Sequence, residues 1–168
     1  DVLNRGAGGQ EAPADVLRFE TDVFAEQPSL VIWQVGTNAV FRNEAFSFDD
    51  VEVAIAVGLR WLKDLPVDVI MMDLQYTPAV VDGPKLALSR DMVARITRTA
   101  EAAGANMFSR FALMERWVTR DGIPIESLVR AGDALHMSEC APQFMTAALF
   151  QAIKRGLEAS KRSMPPTV

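Results

Sequence analysis

The sequence predicts an α/β domain in which a parallel sheet is covered by helices on both faces, and three observations carry that expectation. Residues 29–35 and 67–74 are apolar almost without interruption over strand length, as strands buried on both faces are. Between and after them run segments whose apolar residues recur at helical spacing. Each apolar stretch breaks into polar or glycine-containing residues, and α/β sheets hold ligands there, beyond the carboxyl ends of the strands.

In chain order, Asp1-Val2-Leu3 reads as a strand end running into Gly6, Gly8 and Gly9, where backbone can approach a ligand. Residues 12–24 carry Val16, Leu17, Phe19, Val23 and Phe24 near helical spacing, and Pro28 closes that helix. Strand 29–35 then ends at Gly36-Thr37-Asn38. Ser47 caps the next helix with Asp50 three residues on, and Val51, Ala54, Ile55, Gly58, Leu59 and Leu62 share one face. Pro66 resets the chain before strand 67–74, which breaks at Gln75-Tyr76-Thr77-Pro78. Ser89 is expected to cap a helix with Met92, Val93, Ile96, Ala100 and Ala103 on one face and Gly104 at its end. A short strand is expected over 106–110. The last helix follows Pro142, with Met145, Ala148, Leu149, Ala152, Ile153, Gly156 and Leu157 on one stripe. Residues 161–168 read as a frayed basic tail, leaving 1–160 as a single domain.

Composition narrows the function classes. A net charge of −5, with no Lys/Arg cluster interleaved with aromatics, speaks against nucleic acid and anionic membrane surfaces as partners. The single cysteine, Cys140, excludes an intramolecular disulfide. One cysteine and one histidine cannot supply the usual zinc tetrad, so neither a metal nor another cofactor is expected. No apolar run reaches the roughly 18 residues that span a bilayer. The compartment stays open, with soluble, secreted and periplasmic settings all compatible.

One constellation carries chemistry. Asp133-Ala134-Leu135-His136 precedes the last helix, and an aspartate three residues before a histidine can hold Nδ1–H while Nε2 faces outward. Gly36-Thr37-Asn38 alone reads as a turn, and Gly8-Gly9 alone as a strand-to-helix connection. Gln75 and Tyr76 close a strand and either line a substrate cleft or belong to an ordinary loop with Pro78. Met71, Met72, Met92, Met107 and Met145, with Trp33, Trp61 and Trp117, fall in apolar patterns that core filling explains.

Together, Asn4-Arg5-Gly6-Ala7-Gly8-Gly9-Gln10, Gly36-Thr37-Asn38 and Asp133-x-x-His136 resemble the second, third and fifth sequence blocks of the SGNH/GDSL hydrolases. The resemblance implies a flavodoxin-like three-layer α/β/α sandwich and a Ser-His-Asp triad. By position, it makes His136 the general base and Asp133 its orienting carboxylate. Gly9 would lend a backbone N–H and Asn38 its side-chain amide to the oxyanion hole. Ala39 stands where that pattern often has Asp, which bears on how the loop is pinned.

The departure lies in the first block. No Gly-Asp-Ser occurs, and Gly132-Asp133-Ala134 lacks the hydroxyl. The sequence starts at the second block, so the first strand and the serine are expected on a missing N-terminal segment, bound as a separate chain or replaced by a partner. In the flavodoxin-like order that strand lies between Asp1-Val2-Leu3 and strand 29–35. Ser138 sits too close to its own base to occupy a nucleophile's strained turn, and Ser47 and Ser89 read as caps. Cys140 has only His136 nearby to lower its pKa.

The resemblance implies a serine-type carboxylic ester hydrolase acting on a small acyl ester, with acetylated carbohydrate among its candidates. A dinucleotide-binding domain fails because Glu11 stands where G-x-G-x-x-G needs its third glycine. A non-catalytic binding or regulatory subunit of the same fold remains as the alternative.

Overall fold

The computed structural model describes residues 1–139 and 141–163, with side chains through 158. Cys140 and the end of the expected tail, 164–168, lie outside the described residues. Three parallel strands, β1 (Leu30–Gln34), β2 (Asp68–Met72) and β3 (Asn106–Phe108), form one sheet in the order β1-β2-β3. Leu30 stands opposite Asp68, and Ile70 opposite Asn106.

Alternation along the strands sends side chains to opposite faces, and each face has its own core. Trp33 and Met71 pack with Val51, Ile55, Leu62, Met92 and Ile96, from the helices α4 (Phe48–Lys63) and α6 (Lys85–Ala103). Ile70, Met72 and Phe108 pack with Met114, Trp117 and Met145, from α7 (Arg110–Thr119) and α8 (Ala141–Ser163). The result is the predicted three-layer α/β/α arrangement. The six α4 residues placed on one face are the six that are buried, and Ser47 Oγ accepts the Asp50 N–H as expected.

Several expectations require correction. Residues 1–7 form no strand, and Val2 and Leu3 are 98% and 55% exposed. No neighbouring strand pairs with them: the outer edge of β1 is free among the described residues, and Leu30 and Ile32 on it are 36% and 43% exposed. The single helix expected over 12–24 is broken into α1 (Ala12–Val16), α2 (Phe19–Asp22) and a 3₁₀ turn (Phe24–Glu26), with Leu17 left 83% exposed.

Ser89 does not cap. α6 begins four residues earlier, and Ser89 is buried inside it, its hydroxyl donating to Val80 O at 2.5 Å, a common alternative to capping for a helical serine. Three helices were not predicted: α3 (Thr37–Phe41), α5 (Pro78–Val81) and α7. α8 continues through Ser163, so the first residues of the expected tail are helical. Trp61 is not core; at 44% exposed it lines a cleft of about 470 Å³ with Val16, Leu17, Phe24 and Leu65. No described helix is long and apolar enough to cross a membrane.

Candidate active site

Buried polar side chains gather where the strands end. Glu11, Thr37, Asp73, Gln75, Thr77 and Arg110 are all buried, and they lie in or beside the loops that follow β1, β2 and β3. A polar group buried there must be hydrogen-bonded or it destabilises the fold, so these residues report how the loops are held.

The loop after β1 turns at Gly36, whose φ of 94° favours glycine. A Cβ there would stand 2.7 Å from Ile96 Cδ1, so α6 closes against bare backbone. Directly beyond, α3 carries Asn38 in its first turn. Asn38 Nδ2 donates to Gln10 O at 2.7 Å, which draws the Gly8-Gly9 turn onto the start of α3. Gly9, at φ 79°, has its N–H in no hydrogen bond among the described residues. The structure therefore brings together the two residues expected to donate to an oxyanion.

Glu11 makes the junction, a role the sequence reading missed. Its buried carboxylate accepts from Gly36 N at 2.8 Å, Ala39 N at 3.0 Å and Ala12 N at 3.2 Å, capping α3 from 25 residues away. Burial raises this carboxyl above its usual range, and the three N–H groups oppose the rise. Ala39 thus needs no carboxylate of its own, because Glu11 reaches its N–H.

Asp133 and His136 lie together as predicted. Asp133 Oδ2 meets His136 Nδ1 at 2.7 Å, and Asp133 Oδ1 accepts from Leu135 N at 2.7 Å and His136 N at 3.0 Å. Those two N–H groups, with the imidazole, hold the Asp133 carboxyl down to about 2. The loop closes on itself through Arg130 N donating to His136 O, beside an antiparallel bridge between Val129 and Met137. The His136 side chain is 66% exposed.

Gln75 fixes this loop to the sheet. It is buried, and its Nε2 donates to Leu135 O at 2.9 Å, while Ala79 N donates to Ala134 O at 2.9 Å. Tyr76 is half-buried with its ring edge-on to Phe111 at 5.1 Å. Ser138 is engaged elsewhere, its hydroxyl donating to Ser127 O at 2.9 Å. Gln75→Ala is expected to loosen the loop that carries His136 and to speed amide hydrogen exchange there, because the side-chain tie to Leu135 O is lost. Hydrogen exchange beside a urea titration separates that local loosening from global unfolding.

Arg110 and Asp73 were also missed. Arg110 Nε donates to Asp73 O at 3.1 Å, Nη1 to Gln34 Oε1 at 2.9 Å and Nη2 to Thr37 Oγ1 at 3.4 Å, tying together the ends of β1, β2 and α3. Asp73 Oδ1 accepts from Phe111 N at 2.8 Å, while Oδ2 has no partner among the described residues. Burial pushes the Asp73 carboxyl up to about 6, and Phe111 N–H and Arg110 oppose it. Burial likewise brings Arg110 down to about 10.

Because the folded pKa of Asp73 exceeds its unfolded value, its contribution is fully present below about pH 4 and is lost as pH rises through 6. A stability decline on the order of 2–3 kcal/mol is expected across that window. Asp73→Asn should flatten it, as urea unfolding at pH 4.5 and pH 7 will read.

The model of the Non-GDSL lipase-like family matches residues 1–157. The chain belongs to that family. Among curated proteins, none matches this family member significantly. Of solved structures, an acetylxylan esterase from Geobacillus stearothermophilus superposes on it with a TM-score of 0.77 at 20% identity, over 89% of this chain and 70% of that one. An alpha/beta hydrolase enzyme from the metagenome of Lake Arreo, Spain, gives a TM-score of 0.77 at 18% identity, over 89% and 71%. Catalytic mutants of the Geobacillus esterase replace a serine, an aspartate and a histidine by alanine, the aspartate three positions before the histidine. This member of the Non-GDSL lipase-like family shares their α/β fold.

Proposed function

We propose that the chain carries the general base and the oxyanion donors of a serine-type carboxylic ester hydrolase, and that its nucleophile lies on a segment outside these 168 residues. The observation that carries this reading is the Asp133–His136 pair, 2.7 Å apart, on a loop that its own backbone and Gln75 hold rigid. The same aspartate-to-histidine spacing in the Geobacillus esterase supports it.

Each residue then has a defined step. His136 Nε2 takes the proton of the serine hydroxyl as its oxygen bonds to the ester carbonyl carbon. The carbonyl electron pair moves to oxygen, and Gly9 N–H with the second Asn38 Nδ2–H donates to that oxyanion. Asp133, held ionised, stabilises the imidazolium and keeps Nδ1 protonated. Collapse breaks the ester C–O bond, and the departing alkoxide takes the proton from Nε2. Water repeats the sequence on the acyl-serine, releasing the acid. Tyr76 would form a wall for the acyl group or alcohol. An acetyl ester on a carbohydrate is the substrate class suggested by the Geobacillus enzyme.

The segment bearing the serine would pair with the outer edge of β1, which no described strand occupies and where Leu30 and Ile32 are exposed. A second reading, a non-catalytic binding module, is favoured by the absence of an available serine beside His136 among the described residues. A fluorophosphonate applied to the full-length gene product separates the two. The esterase reading expects label on a serine outside these 168 residues, abolished in His136→Ala. An unlabelled protein points to the binding module. Asn38→Ala is expected to lower kcat by roughly 10²–10³-fold, the usual cost of one oxyanion donor, measured on acetyl ester substrates.

A further inference from the structure

Resting on the esterase reading, we infer that Arg42 is a positioning residue that sets which end of the Asn38 amide faces the reaction and joins Asn38 to Gly9. Arg42 follows α3 directly, one helical turn beyond Asn38. Its Nη2 donates to Gly9 O and lies 3.4 Å from Asn38 Oδ1. The guanidinium also stands over the Phe46 ring, 5.4 Å from its centroid, and no carboxylate pairs with it among the described residues. Its charge is directed at backbone and amide oxygens.

The consequence follows from the symmetry of an amide. Asn38 can present either C=O or NH₂ in nearly the same volume, but only NH₂ stabilises an oxyanion; Oδ1 in its place would repel one. Two neighbours remove the ambiguity. Gln10 O, which can only accept, takes one Nδ2 hydrogen at 2.7 Å. Arg42, which can only donate, sits on the Oδ1 side. The second Nδ2 hydrogen is left as a fixed, outward donor. The bond to Gly9 O fixes the next peptide plane and with it the positive-φ turn that aims Gly9 N–H. A Cβ on Gly9 would come within 3.2 Å of Arg42 Nη2, so the bare backbone gives the guanidinium its access.

The test is a double-mutant cycle in the full-length gene product, with Arg42→Ala, Asn38→Ala, the double variant, Arg42→Lys and His136→Ala. Arg42→Ala is expected to lower kcat on the order of 10²-fold with KM within about twofold, since the lost interaction acts on the transition state. In the Asn38→Ala background the same change should cost less, because the amide it orients is gone and only the part that acts through Gly9 is left. Arg42→Lys should recover part of the loss, and added guanidinium should recover part in Arg42→Ala. Wild-type kcat in Arg42→Ala, a loss confined to KM, or costs that multiply in the double variant would overturn the inference. If His136→Ala and Asn38→Ala themselves leave turnover intact, the esterase reading has failed, and this inference with it. If they abolish turnover while Arg42→Ala does not, only the role of Arg42 has failed.

Discussion

Replacing His136 by alanine is expected to lower kcat on the order of 10⁶-fold, and Asp133→Asn by roughly 10⁴-fold, in protein that still folds. Both residues lie on a loop closed by its own backbone, and neither contributes to either apolar core. On the esterase reading, His136→Ala removes the proton acceptor itself. Asp133→Asn is subtler: an asparagine can still accept from Leu135 N and His136 N through its oxygen, so the loop should persist. Its NH₂ would face Nδ1, however, and favour the tautomer whose Nε2 carries the proton and cannot act as a base. Unchanged circular dichroism with lost turnover is the expected pair of results.

The largest effect on stability is expected at Glu11. Glu11→Ala would leave the N–H groups of Gly36 and Ala39 buried without acceptors, at about 1–3 kcal/mol each. Relief of the buried carboxylate's desolvation offsets part of this, so a net loss of about 2–4 kcal/mol is expected. Glu11→Gln should also destabilise, because its NH₂ must face one of the two N–H donors. A urea titration reads both variants, and a wild-type midpoint in Glu11→Gln would mean that the carboxylate is dispensable as a double acceptor.

The contrast between what the sequence revealed and what it concealed is one of distance along the chain. Helix α4 was legible because a one-faced period of apolar residues is a local signal that burial then obeys. The Asp133–His136 pair was legible because its geometry is set by a three-residue spacing. Glu11, Arg42 and Arg110 were not, since their partners lie 25 to 76 residues away and no spacing rule connects them. Ser89 shows the reverse error: a serine before an apolar stripe looks like a cap, but a buried carbonyl nine residues back had claimed its hydroxyl. Helix α7 was available in principle, with Phe111, Met114 and Trp117 buried along one side. Its first residue, a buried arginine, is explained only by the strand ends it joins.

A crystal structure of the full-length gene product with a small alkyl phosphonate on its nucleophile tests the proposed convergence of Gly9, Asn38 and His136 most directly. The esterase reading predicts the phosphonyl oxygen within about 3 Å of both Gly9 N and Asn38 Nδ2, with His136 Nε2 facing the serine oxygen. A phosphonyl oxygen bound by other groups, with Asn38 turned away or His136 on a different face from the adduct, would contradict it.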